Sequence, residues 1–148
     1  MNSQIQSETV IGREFDTVAA RERKEMLEKE LERYLRILIE EEDPELILIF
    51  GSMVTGEIHE WSDIDLMVVQ ETKLPFMKRL HHLRALLQPQ VAVDILSYTP
   101  SEFDQMARER SFFRHEILGK GAILYERRGS TLAELRAGRP TNGEVRAR

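Results

Sequence analysis

Residues 46–69 read LILIFGSMVTGEIHEWSDIDLMVV. An apolar run, Leu46 to Phe50, stops at Gly51 and Ser52. After a ten-residue spacer, Asp63 and Asp65 open a second apolar run made of Ile64 and Leu66 to Val69. Apolar, β-branched runs of this length, bounded by Gly, Ser and Asp, are strands rather than short helices. Side chains two apart in a strand share a face, so Asp63 and Asp65 project together while Ile64 points the other way.

Two carboxylates held that close repel, and keeping both ionised is costly unless a cation lies between them. The natural cation is a hard divalent one such as Mg²⁺, which takes carboxylate and phosphate oxygens. Gly51 and Ser52 supply the complementary half. Glycine lets backbone approach a ligand closely, and amides at a strand-to-helix turn beside a serine hydroxyl can hold a phosphate. A metal-binding carboxylate pair facing a phosphate-cradling turn is equipment for phosphoryl or nucleotidyl transfer.

A third carboxylate stands out in Val91-Ala92-Val93-Asp94-Ile95-Leu96, which reads as another strand. A charge inside such a run is expensive to bury unless it is paired or bound to a metal. Asp94 is therefore expected on the strand neighbouring Asp63 and Asp65, joining one cluster; the competing reading is a strand-end aspartate facing solvent.

Gly51, Ser52, the ten-residue spacer, Asp63, Ile64 and Asp65 resemble the GSx10DxD signature of the DNA polymerase beta type nucleotidyltransferase superfamily, and specifically its minimal nucleotidyltransferase branch. The resemblance continues through VAVDIL and GKGAILYE and covers about Leu27 to Glu126. It implies an α/β (α+β) fold in which helices flank a small mixed sheet. It further implies ATP as substrate, two Mg²⁺ ions on Asp63, Asp65 and Asp94, and a nucleotide pocket shaped by Gly51, Ser52 and Ser62. Members of the minimal branch pair with a HEPN-domain toxin and act as the antitoxin that attaches AMP to one of its tyrosines. Two rivals stand beside that reading: a module that masks a toxin without turnover, and a nucleotidyltransferase acting on an aminoglycoside-type small molecule.

Around this centre the chain divides into a loose arm (1–15), one domain (16–126) and a basic tail (127–148). From Asp16 to Glu42, Leu27, Leu31, Tyr34, Leu35 and Leu38 recur at helical spacing, with charges between them forming a solvated face. Pro44 ends that helix. A short helix is expected at Met53 to Gly56 and a loop at Glu57 to Ser62. Trp61 in that loop could stack on a base, although a packed or half-exposed ring is the expected outcome. A second amphipathic helix runs from Pro75 to Leu87; its neighbouring histidines, His81 and His82, point to different faces and do not chelate. Ser101 is expected to cap a helix that carries Phe103, Met106, Phe113 and Ile117 towards Gly119, before a last edge strand at Gly121 to Tyr125. Arg110 and His115 fit an RxxxxH pattern used by HEPN ribonucleases, but such domains are all-helical and the strand signals here make the match coincidental. Arg108, Arg110 and Arg114 are candidates either to neutralise a triphosphate or to bridge to the acidic helix.

The chain has 148 residues, a single-domain length, and no cysteine, which excludes disulfides, thiolate zinc sites and a cysteine nucleophile and fits a cytoplasmic protein. A net charge of −5 argues against strong nucleic-acid binding. No apolar run reaches membrane-spanning length and no secretory signal is evident. The tail departs from the acidic balance: Arg127, Arg128, Arg136, Arg139, Arg146 and Arg148 face only Glu134 and Glu144. A solvated end is expected there.

Overall fold

The strand run that starts at Leu46 has no polar alternation because the sheet it joins is covered on both faces. In the computed structural model, which describes residues 17–130, Leu46 to Ile49 are all buried. The elements are α1 (Val18–Glu42), β1 (Leu46–Phe50), α2 (Ser52–Thr55), β2 (Ile64–Val69), α3 (Phe76–Leu87), β3 (Val93–Tyr98), α4 (Pro100–Glu109), a π-helical turn (Phe113–Leu118) and β4 (Ala122–Glu126). The predicted 1–15 arm and most of the predicted tail lie outside the described residues.

The four strands lie in the order β3, β2, β1, β4. β1 pairs antiparallel with both β2 and β4, while β2 and β3 run parallel, with α3 as the crossover that a parallel pair requires. On one face Ile47, Ile49, Leu66, Val68, Val93 and Ile95 pack beneath α1 and α3. On the other, Leu46, Leu48, Met67 and Val69 pack against Phe103, Ala107, Phe113 and Leu118. Period-two alternation thus sends neighbouring residues of one strand into two separate cores.

Helix α1 follows the predicted stripe, with Leu27, Leu31, Tyr34 and Leu38 buried and Leu35 at its margin. Thr17 caps it by accepting a bond from the Ala20 amide, and Asp43 ends it in the left-handed region at φ 47. Its polar side is not uniformly solvated. Glu30, buried, accepts from Arg33 at 2.8 and 3.0 Å, from the Tyr34 hydroxyl at 2.9 Å and from the Gln90 amide at 2.6 Å. Arg33 also donates to the Leu87 carbonyl. These bonds staple α1 to the end of α3, and they hold the Glu30 carboxyl at about 2, with Arg33 the main cause.

Three boundaries differ from the sequence reading. β3 runs two residues later than Val91 to Leu96. The α4 cap is Thr99, not Ser101: its hydroxyl accepts from the Glu102 amide while Glu102 accepts from the Thr99 amide, a complete capping box with Pro100 at the first helical position. The helix expected to continue towards Gly119 breaks at Arg110, which is extended, and resumes as the π-helical turn. Arg79, half-way round α3, is buried by reaching to Glu102 at 2.7 Å and to the carbonyls of Leu74 and Ser97. His82 meets Glu42 at 2.9 Å, while His81 is exposed. No helix among the described residues is long and apolar enough to cross a membrane.

Candidate active site

Register alone brings the site together. Phe50 is opposite Asp65 on one side and Asp94 is opposite Asp65 on the other, so the Gly51 turn, Asp65 and Asp94 occupy adjacent rungs across three strands. Asp63, two residues before Asp65, shares its face. One ligand oxygen from each of Asp63, Asp65 and Asp94 lies within 4.8 Å of the others. Asp94 is exposed at the open side of the cluster, and Asp63 and Asp65 are half-buried. Both halves of the competing expectation for Asp94 are therefore met: it faces solvent, and it also joins the cluster.

Burial pushes the Asp65 carboxyl up to about 6, with the charges of Asp63 and Asp94 and a hydrogen bond that the protonated carboxyl donates to Asp94 adding to the effect. An electrostatic cost of this kind is what a bound cation relieves.

Gly51 is fixed by this crowding. Its φ of 77° and ψ of −150° belong to glycine's range, and a Cβ placed there would collide with the Asp65 carboxylate. The backbone can therefore lie directly against Asp65. From Gly51 the chain turns into α2, whose single turn is closed by Val54 and Thr55 amides on the Gly51 carbonyl. The preceding amides of Ser52 and Met53 belong to the first-turn donors that a helix leaves without intrahelical acceptors, and the Ser52 side chain is half-buried beside them.

The loop that delivers Asp63 is firmly held. Ile58 anchors it in the core. The Ser62 amide donates to the His59 carbonyl and the His59 amide donates to the Ser62 hydroxyl, both at 3.0 Å. Arg23, on α1, donates to the Ser62 carbonyl at 2.8 Å. Ser62 is buried with these contacts, its hydroxyl turned to the His59 amide within the loop. Trp61, expected as a packed or half-exposed ring, is 70% exposed, with its ring centroid 4.8 Å from that of His59. The Arg23 clasp was not legible in the sequence, because 39 positions separate it from Ser62 and nothing in its helix distinguishes it from neighbouring charges.

Beyond Asp94, the same face of β3 carries Leu96 and Tyr98. They line a cleft of about 480 Å³ with Met106, Arg110, Phe112 and Phe113. Arg108 pairs with Asp104, and Arg114 donates to the Ala107 carbonyl. His115 contacts the Ser111 carbonyl.

The family model described as polymerase beta, nucleotidyltransferase, matches residues 32–129 and so takes in the turn, the loop and all three aspartates. The chain belongs to that family. Among solved structures, this nucleotidyltransferase is similar to a Sulfolobus solfataricus protein assigned as a nucleotidyltransferase. The two are 18% identical at a TM-score of 0.55, over 77% of this chain and 93% of the other, a likeness of fold. A toxin-antitoxin structure with AMP-PNP is 20% identical at a TM-score of 0.49, over 72% of this chain and 83% of that one. A mutant form of the toxin-antitoxin MntA-HpeT is 19% identical at 0.49, over 78% and 86%. No curated protein matches the nucleotidyltransferase in sequence.

Proposed function

We propose that the protein transfers AMP from ATP to an acceptor hydroxyl. The observation that carries this reading is the gathering of Asp63, Asp65 and Asp94 within 4.8 Å on the face where Gly51 turns. The β- and γ-phosphates lie on the Ser52 and Met53 amides and the Ser52 hydroxyl. Asp63 and Asp65 would hold one Mg²⁺ and, together with Asp94, would complete the site of a second; the all-carboxylate donor set and the raised Asp65 suit a hard cation. When bound, the metal supplies Lewis-acid stabilisation of charge on the phosphate oxygens. Ser62 keeps the loop that fixes Asp63 in place.

Asp94, the most exposed of the three, faces the side from which an acceptor enters and accepts its hydroxyl proton. The acceptor oxygen forms a bond to the α-phosphorus, the bond from that phosphorus to the bridging oxygen breaks, and pyrophosphate leaves on the Gly51 side.

The acceptor we favour is a hydroxyl on a protein partner, a HEPN-type toxin tyrosine, as the minimal branch resemblance implies; the protein would then act as a cytoplasmic antitoxin. The cleft that Leu96 and Tyr98 line on the same face of β3 as Asp94 supports a polypeptide over an aminoglycoside. Its lining of Leu96, Tyr98, Met106, Phe112 and Phe113 is apolar and aromatic, and its charged member, Arg110, would repel a polycation. The test is label transfer from α-labelled ATP, which the combined Asp63→Asn and Asp65→Asn variant should lose entirely. Undiminished labelling by that variant refutes the enzyme reading and leaves toxin masking, without turnover, as the explanation of any antitoxin effect.

A further inference from the structure

We propose that Trp61 is the platform on which the base of the bound nucleotide stacks, an inference that rests on the nucleotide-transfer reading above. An indole is among the most favourable side chains to bury, yet this one stands 70% exposed on a turn that is itself rigid. The turn is pinned by the buried Ile58, by the paired bonds between His59 and Ser62, and by Arg23 on the Ser62 carbonyl. His59 braces the indole from one side, its ring tilted 49° to it. The side chain is thus presented rather than left loose, which lowers the entropy lost when a flat ligand settles on it.

Position supports the same role. Trp61 is two residues upstream of Asp63, a backbone distance of at most about 7 Å. That is within the span of sugar and base from an α-phosphate held at the carboxylates. Gly51 and Ser52, which hold the outer phosphates, connect to the same loop through α2. A nucleotide with its phosphates on the turn and its α-phosphate at the aspartates therefore leaves its base beside this loop. Stacking on an aromatic face is sequence-tolerant, since every base has a π-surface, so Trp61 contributes affinity for nucleosides over bare polyphosphate rather than choice among bases.

Trp61 is the sole tryptophan of the chain, so the emission of the full-length protein reports one side chain. In the presence of Mg²⁺, α,β-methylene-ATP, which cannot transfer AMP, should quench that emission; inorganic tripolyphosphate should bind without changing it. By calorimetry, Trp61→Ala should bind the ATP analogue about tenfold or more weakly, from the worth of one stacked base. The same variant should bind tripolyphosphate as wild type does, and Trp61→Phe should retain most of the analogue affinity. Equal analogue affinity in wild type and Trp61→Ala overturns the stacking role while leaving the nucleotide reading intact. So does an identical emission change with tripolyphosphate. If wild type binds neither ligand, the nucleotide reading itself falls and stacking falls with it.

Discussion

Without metal, Asp65 should weaken the very fold it serves. Its carboxyl is raised from an ordinary 3.8 to about 6, chiefly by burial and then by the charges of Asp63 and Asp94. At about 1.4 kcal/mol per pH unit, ionising it in the folded chain costs about 3 kcal/mol more than in the unfolded chain; solvent screening of a half-buried group reduces this to about 1 to 3 kcal/mol. Because the folded state holds the Asp65 proton more tightly, the contribution of this one group to stability is most favourable below about pH 4, falls as pH rises through 6, and stays unfavourable above that. Asp65→Asn keeps the shape, can still donate to Asp94, and carries no charge. In EDTA at pH 8 the variant should be more stable than wild type by about 1 to 3 kcal/mol, roughly 4 to 12 °C in Tm for a domain of this size. At pH 4.5 the difference should shrink strongly. Mg²⁺ should raise the wild-type Tm and do little for the variant, since binding to the native state adds stability by mass action. Thermal melts followed by circular dichroism at both pH values, with EDTA or Mg²⁺, measure all four terms. A variant no more stable than wild type in EDTA at pH 8 would refute the reading that burial and the neighbouring carboxylates make the Asp65 charge costly to hold.

Gly51→Ala should cost about 1 to 3 kcal/mol from its backbone conformation alone and displace the Asp65 carboxylate, abolishing binding of the ATP analogue by calorimetry. Gly56→Ala, at φ 83° with open space around it, should cost only about 1 kcal/mol and leave that binding unchanged. Glu30→Ala removes the shared acceptor of Arg33, Tyr34 and the Gln90 amide and should cost about 2 to 3 kcal/mol in urea unfolding. The Glu30 contribution has the opposite pH sign to Asp65: with its carboxyl held at about 2, it is present above about pH 4.5 and lost as pH falls towards 2, so acid titration of wild type against Glu30→Ala should make the two curves converge. Thr99→Ala should lower stability by about 1 kcal/mol through loss of the α4 cap, whereas Ser101→Ala should be nearly neutral, a contrast that equilibrium unfolding reads directly.

The strands, the face shared by Asp63 and Asp65, and the glycine turn are legible in the amino-acid order. Each follows from a local rule: apolar runs bounded by breakers, period-two alternation, and a residue without Cβ where backbone must approach closely. The same order marks Asp94, because a charge within an apolar run needs a reason. The place of Asp94 on the parallel rung next to Asp65 comes from the pairing of β2 with β3, since strand pairing joins positions about thirty residues apart and no local pattern encodes which strands become neighbours. The same holds for the buried partners of Glu30 and Arg79 and for Arg23 on the Ser62 loop, where side chains indistinguishable by type from solvated neighbours are set apart by what the fold places against them. Local propensity writes the elements; long-range packing chooses which charges meet, and the candidate active site is one of those meetings.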